Sequence, residues 1–457
     1  MKRITFTVMA TLVVSALPAL AQGRRTEAFS QAQPQLAAPA GPITLTLKDA
    51  LALAQKNDPQ FLAALGDATV ALEDARQARA SIYPSLSGRS DYLGTQGNGK
   101  LASGRFVTND GVHVYRDWAA VHQDLSPGVL MRTNVQRASA AEAVARAKAE
   151  IARRGLAGAV TKAYYGLIAA QRKYATAQEA LDQARRSLQI SQELERGREV
   201  AHSDVVKFQL QATSQETAYQ ESQLAMETAR LDLAVLLSRT FDENFSVVDD
   251  LDVAPVLPPV EEVQAMAGRE NPTLRAAMET LRGAKLDTQI ARQALLPTVT
   301  VDGVYGIEAN AFALRSPVAA ARDLGSLPNL GYFVTASLTV PIWDWGVRRS
   351  KVHQAAVKQA QASVELSLAQ RTMVRNLRGF YDEAQMARRQ VDLLRQAVDF
   401  ASEGLRLNTL RYQAGEATVL DLVDAQTAIT QARNAYDDGM VRYRVALSNL
   451  QTLTGAF

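Results

Sequence analysis

No proline occurs from Gly128 to Ala254, and none from Ile342 to the C-terminal Phe457, although the chain holds 15 prolines in its 457 residues. A proline inside a helix removes a hydrogen bond and clashes with the preceding turn, so helices of great length need such gaps. Both gaps are rich in Ala, Leu, Gln, Arg and Glu, the residues that lose least on entering a helix. The spacing predicts long helices over roughly 129–195 and 347–412, each about 100 Å at ~1.5 Å per residue. Shorter helices follow over roughly 204–239 and 419–454. Most prolines gather instead in residues 34–127 and 255–341.

Those two proline-bearing regions resemble each other. A shift of 213 superposes Pro59 on Pro272, Pro84 on Pro297, Tyr92 on Tyr305 and Leu125 on Leu338. A shift of 217 superposes Asp204 on Asp421, Gln209 on Gln426, Tyr219 on Tyr436, Leu233 on Leu450 and Leu236 on Leu453. A series in order at a nearly constant offset argues for an internal duplication. The expected division is a first repeat over 43–241, an inter-repeat linker over 242–259 and a second repeat over 260–457. Each repeat reads helix, strand, strand, long helix, turn, shorter helix. The first helix of each breaks before a proline, at Asn57-Asp58-Pro59 and at Asn271-Pro272.

The last helix carries Leu422, Ala425, Ile429, Ala432, Tyr436, Gly439, Tyr443, Ala446, Leu450 and Leu453 at steps of three and four. Its counterpart from Val205 to Leu236 keeps the same steps, as does the long helix from Phe380 to Leu405. This is a coiled-coil seam with many small residues, although an ordinary helical bundle would also use it. Strands are expected near 85–94, 114–125, 298–307 and 331–340. In the last, Tyr332, Val334, Ala336, Leu338 and Val340 alternate with Phe333, Thr335, Ser337 and Thr339. Such a period suits a transmembrane β-barrel or a soluble antiparallel sheet. Four strands are too few to close a barrel, whose practical minimum is about eight, so closure requires several subunits; three would give twelve strands.

Conventional catalysis finds little support. The chain has no cysteine, which excludes disulfides, thiolate metal sites and a lipidated N-terminal cysteine. His113, His122, His202 and His353 share no metal-binding or triad spacing, so no cofactor is expected. Lys plus Arg number 50 against 47 Asp plus Glu, a balance that gives no reason to expect nucleic acid. Lys2 and Arg3, the apolar run Ile4 to Leu17 and Ala19-Leu20-Ala21 read as a signal peptide over 1–21. Residues 22–42 then read as a flexible leader.

At this point the sequence resembles the TolC-like outer-membrane efflux proteins of Gram-negative bacteria. The resemblance rests on the duplicated layout and on local motifs. These are Leu45-Thr46-Leu47-Lys48-Asp49-Ala50, Ile82-Tyr83-Pro84-Ser85-Leu86 with its copy Leu295-Leu296-Pro297-Thr298-Val299, Val340-Pro341-Ile342-Trp343-Asp344-Trp345-Gly346, and the run from Arg411 through Gly415 to Ala425. It implies a mixed α+β membrane protein: a homotrimer whose twelve-stranded β-barrel, four strands per chain, sits in outer-membrane lipid. A periplasmic α-helical barrel would continue it. It also implies a passive exit duct for tripartite efflux or type I secretion. A periplasmic adaptor and an inner-membrane pump of RND, ABC or MFS type would be its partners. The alternative is a periplasmic coiled-coil adaptor or scaffold without a pore. The chain departs from many relatives in lacking the lipidated cysteine and a C-terminal extension.

The hairpin turns at Gly197 and Gly415 should form the periplasmic tip, glycine ending each long helix in a left-handed conformation. Asp421 and Asp424 share a helix face beyond the second turn and flank the seam, with Asp438, Arg442 and Asn449 continuing that flank. Repeat one carries Asp204 and Lys207 there. An isolated helix would use the two acids as a solvated face. The resemblance implies instead that Asp421 and Asp424 form stacked acidic rings constricting the entrance, where crowding would resist full ionisation. It also implies a Tyr412–Asp204 contact at the tip. A second lock would need an arginine where Ala417 stands. Repeat one has one residue more between Gly197 and Asp204 than repeat two between Gly415 and Asp421.

Overall fold

A computed structural model describes residues 43–94, 113–238, 244–253, 255–309, 312–319, 326–414 and 416–455. The signal peptide, the whole leader, Gly415 and much of the two loops joining the strands lie outside the described residues. The chain runs β1 (Ile43–Leu45), α1 (Leu47–Asn57), α2 (Pro59–Ala80), β2 (Ser85–Gly94), β3 (His113–Asp124), α3 (Pro127–Leu130), α4 (Thr133–Arg196) and α5 (His202–Leu237). It continues through β4 (Phe245–Val247), α6 (Val260–Glu270), α7 (Pro272–Gln293), β5 (Thr298–Ala309), β6 (Arg315–Ala319), β7 (Ser326–Pro328), β8 (Leu330–Thr339), α8 (Val347–Gln413) and α9 (Val419–Thr454).

The prolines place the breaks. Asp58 ends α1 and caps α2 by accepting from the Phe61 amide, with Pro59 at the first helical position, where its missing N–H costs nothing. Asn271 and Pro272 repeat the device, Asn271 accepting from the Leu274 amide at 2.9 Å. The first long helix starts later than its spacing suggests. Arg132, at φ 54°, separates the short α3 from α4.

Strand order and helix order agree. The four-stranded sheet runs β2-β3-β5-β8, antiparallel throughout. Each strand continues into a helix, and those helices lie side by side in the same sequence, α2, α4, α7 and α8. Farther from the sheet the order is α5, α4, α9, α8, because α5 and α9 return beside the lower halves of the long helices. The described residues from Thr44 onward therefore form a wall four elements wide, with β2, α2 and α5 along one free edge and β8 and α8 along the other.

The core lies at the middle of this wall. Tyr164, Tyr165, Leu167, Ile168, Leu233, Met440 and Tyr443 are fully buried, the larger ones each worth ~2 kcal/mol of burial. The Tyr164 hydroxyl donates to the carbonyls of Leu45 (3.1 Å) and Val248 (2.8 Å), tying the β1 and β4 segments to α4. Arg172 of α4 holds Asp249 at 2.6 Å, Asp252 at 2.7 Å and Asp437 of α9 at 3.1 Å. Its guanidinium draws the Asp252 carboxyl below the usual range, while burial pushes Asp437 up. The segment expected as a linker is thus a strap across α4 and α9, fixed by charge and by the buried Leu251.

On α9 the expected seam faces inward. Leu422, Ala425, Ile429, Gly439, Tyr443, Ala446 and Leu450 are buried. Gly439 lets α8 approach closely: a Cβ there would come within 2.6 Å of the Leu394 methyl, which would have to move aside.

Candidate functional site

Two places could do work in this wall: the helical hairpin tips and the two faces of the sheet. No described helix is long and apolar enough to cross a membrane.

The tips differ in their ends. In the first, Glu199 N–H donates to the Leu194 carbonyl at 2.9 Å and Arg198 N–H to that of Glu195 at 2.9 Å, the paired bonds of a Schellman ending. The left-handed residue is Arg198, at φ 63°, whereas Gly197 is right-handed at φ −74°. The expectation that Gly197 supplies the left-handed turn is therefore corrected. In the second tip Glu416 N–H donates to the Arg411 carbonyl at 2.8 Å. A shift of 217 maps Glu416 on Glu199 and Arg411 on Leu194, so the counterpart of Gly415 is Arg198. That accounts for the extra residue between Gly197 and Asp204.

The helices leaving the tips also begin differently. Thr418 caps α9 in a reciprocal box: its hydroxyl accepts from the Asp421 amide at 3.2 Å, and the Asp421 carboxylate accepts from Thr418 N–H at 2.8 Å. The Thr418 hydroxyl, donating to the same carboxylate at 2.7 Å, holds its pKa below the usual value. Within one chain this runs opposite to the expected resistance to ionisation, because the cap stabilises the anion. Asp424 is exposed one turn on and shares with Asp421 a shallow groove against Ala401, Gly404 and Asn408 of α8. At the start of α5 the capping position is Ala201, whose side chain has no oxygen to offer.

Asp204 does not meet Tyr412 in a hydrogen bond. It takes Lys207 at 3.1 Å on its own helix, the opposite-charge pair expected from sequence. The Tyr412 ring packs edge-on against Phe208, centroids 6.1 Å apart, and its buried hydroxyl has no partner among the described residues. Burial, then the Asp204 charge, raise its pKa. Asp438 and Arg442 serve as ties on two sides of α9: Asp438 binds Lys173 of α4 at 2.7 Å, and Arg442 reaches Gln390 of α8 at 3.3 Å. Sequence reasoning missed Thr418, Arg198 and Arg172. The Thr-x-x-Asp spacing of a capping box was the available signal for the first.

The sheet sorts its side chains by face. One face presents Leu86, Val121, Val334, Tyr305, Tyr332, Ile307, Tyr92, Tyr115 and Leu338, with Leu86 75% and Tyr332 80% exposed. Asp117, hydrogen-bonded by Ser90 at 2.7 Å, is the charged exception there among the described residues. The other face carries Arg116–Glu308 at 2.8 Å, His122–Asp302 at 2.7 Å and Arg89–Asp91 at 2.6 Å. So wide an apolar face could not stay in water without a partner.

Residues 265–456 match the family model of outer membrane efflux proteins. Nodulation protein T of Rhizobium leguminosarum bv. trifolii is 24% identical over 366 residues, 78% of this chain and 74% of that protein. Outer membrane protein TolC of Escherichia coli K12 is 25% identical over 43% of this chain, and the match spans only 40% of TolC. Among solved structures, a membrane protein from Pseudomonas aeruginosa superposes with a TM-score of 0.76 at 20% identity, over 93% of this chain and 97% of the other. The outer membrane protein VceC of Vibrio cholerae gives 0.75 at 19% identity, over 90% and 96%. The chain is thus similar to the outer membrane efflux proteins over residues 265–456 by family model, and shares the fold of these solved structures over 90% or more of its length.

Proposed function

We propose that the protein is the outer-membrane exit duct of a tripartite efflux or type I secretion system, assembled as a homotrimer. The observation that carries this reading is the sheet's pair of free edges. β2 and β8 run in opposite directions, so β8 of one copy can pair antiparallel with β2 of the next. Three copies close a twelve-stranded barrel and remove every exposed edge. The apolar face then meets lipid and the ion-paired face lines a water-filled lumen. Residues 1–21 direct export and are removed, and 43–241 and 260–457 act as the two halves of a duplicated wall joined by 242–259. The α-helical part extends into the periplasm, where an adaptor docks and an inner-membrane pump of RND, ABC or MFS type supplies energy.

At the entrance, threefold symmetry makes rings of Asp421 and Asp424, which favour cations as carboxylate rings do in cation channels. Asp421→Ala with Asp424→Ala abolishes cation selectivity in an assembled trimer if the rings constrict the path; unchanged selectivity assigns the pair to helix capping and solvation. The duct reading is tested by native mass spectrometry and planar-bilayer conductance on protein extracted from outer membranes. It predicts three copies and a steady ionic current. A non-conducting soluble monomer after export would instead support a periplasmic scaffold.

A further inference from the structure

The ion-paired face of the sheet also carries an aromatic platform. Trp118 of β3 and Phe333 of β8 sit on strands separated by β5, so their backbones lie two spacings apart, roughly 9–10 Å. Their ring centroids nevertheless come within 5.7 Å, at an interplanar angle of 84°. The register explains this. Trp118 lies opposite Gly306, and Gly306 opposite Gly331, so no side chain stands on the β5 and β8 positions beside the indole. A Cβ at Gly306 would overlap the backbone of Asp117 and Trp118, so the bare position is required by packing. The indole and the phenyl ring therefore lean toward each other over β5.

Charge surrounds the platform. Arg116 lies 5.3 Å from the indole centroid and is neutralised by Glu308. On the same face Asp91 holds Arg89, and Asp302 holds His122. With Asp124 also on this face, the described strand residues set four carboxylates, Asp91, Asp124, Asp302 and Glu308, against the two permanent cations Arg89 and Arg116. The platform is thus a partly exposed π surface, Phe333 open and Trp118 half-buried, in a field of net negative sign.

We propose that Trp118 and Phe333 form a specificity-determining contact for planar aromatic cations passing through the barrel. The proposal rests on the reading that this face lines the lumen. A flat cation gains twice here, by stacking or cation–π contact with the rings and by attraction to the excess carboxylates. A compact cation without a ring gains only the second. Threefold symmetry would repeat the platform around the lumen, slowing such solutes where others pass.

The test uses the full trimer in planar bilayers, with ethidium or tetraethylammonium added on the barrel side and potassium chloride as the conducting salt. Ethidium should block the wild-type current, and Trp118→Ala or Phe333→Ala should weaken that block roughly tenfold. Trp118→Phe should retain most of it, which guards against a variant that merely assembles badly. Tetraethylammonium block and potassium chloride conductance should stay unchanged in all three. Equal ethidium block in the wild type and in both alanine variants overturns the proposal. A wild type without any potassium chloride conductance overturns the lumen reading beneath it instead.

Discussion

At the residue scale, Arg198 takes the left-handed conformation of the first hairpin, and the shift of 217 sets a glycine, Gly415, against it in sequence. A left-handed residue with a side chain is strained by roughly 1 kcal/mol, a cost glycine avoids. Arg198→Gly should therefore raise the stability of the first tip by about that amount, read as slower hydrogen exchange in residues 190–205. Glu150 illustrates the electrostatics. The Arg153 guanidinium first, then that of Arg154, hold its carboxyl down to about 2 despite partial burial. A folded pKa below the unfolded value of about 4.3 stabilises the protein above that pH, and the gain is lost as pH falls toward about 2. Acid unfolding should thus separate wild type from Glu150→Gln at neutral pH and bring them together near pH 2. A difference persisting there would assign the effect to packing. The composition could announce these residues only in part. Arginines and glutamates three and four apart are visible in the sequence, whereas a backbone angle at Arg198 is set by the tertiary turn.

At the scale of elements, the two return helices share a seam but not a cap. Thr418 and Asp421 satisfy the first amides of α9, while α5 starts from Ala201 with Asp204 already in the third position of a box. Ala201→Thr should stabilise α5 by about 1 kcal/mol, and Thr418→Ala should cost α9 a similar amount. Exchange rates in the two tips, compared across the variants, check both signs. In the sheet, Gly306→Ala forces a methyl into the backbone of β3 and should cost at least about 1–3 kcal/mol, seen as reduced trimer recovery. Normal assembly of that variant would show that the sheet can shift to admit it. Helix breaks were legible because Asp58-Pro59 and Asn271-Pro272 carry both the cap and the proline. Strand positions were legible from alternation in β2, β5 and β8, whereas β3, expected around Tyr115 to Leu125, alternates least regularly. The ion pairs Arg116–Glu308 and His122–Asp302 were not, because they depend on the register between β3 and β5, which no single strand reveals.

At the scale of the whole molecule, one chain is an open wall. Its apolar sheet face, the open outer edges of β2 and β8, and exposed apolar side chains on the edge helices, such as Leu210 and Leu224 of α5 and Val364 and Leu368 of α8, are all available to neighbours. The four-fold match between strand order and helix order was hidden in the sequence, since it arises from how the two halves stack rather than from either repeat alone. The strap from Phe245 to Pro259, clamped by Arg172, fixes that stacking at mid-height. Closure of the wall by three copies is the central claim, and the cysteine-free sequence allows a direct test. A single cysteine at Ser87 of β2 is combined in turn with one at each position of β8 from Gly331 to Thr339, and the protein is oxidised in outer membranes. The account predicts disulfide-linked species of two and three chains, never more, at alternate β8 positions on the lumen-facing side. Cross-linking confined within one chain, its complete absence from a correctly exported protein, or ladders longer than three chains would contradict it.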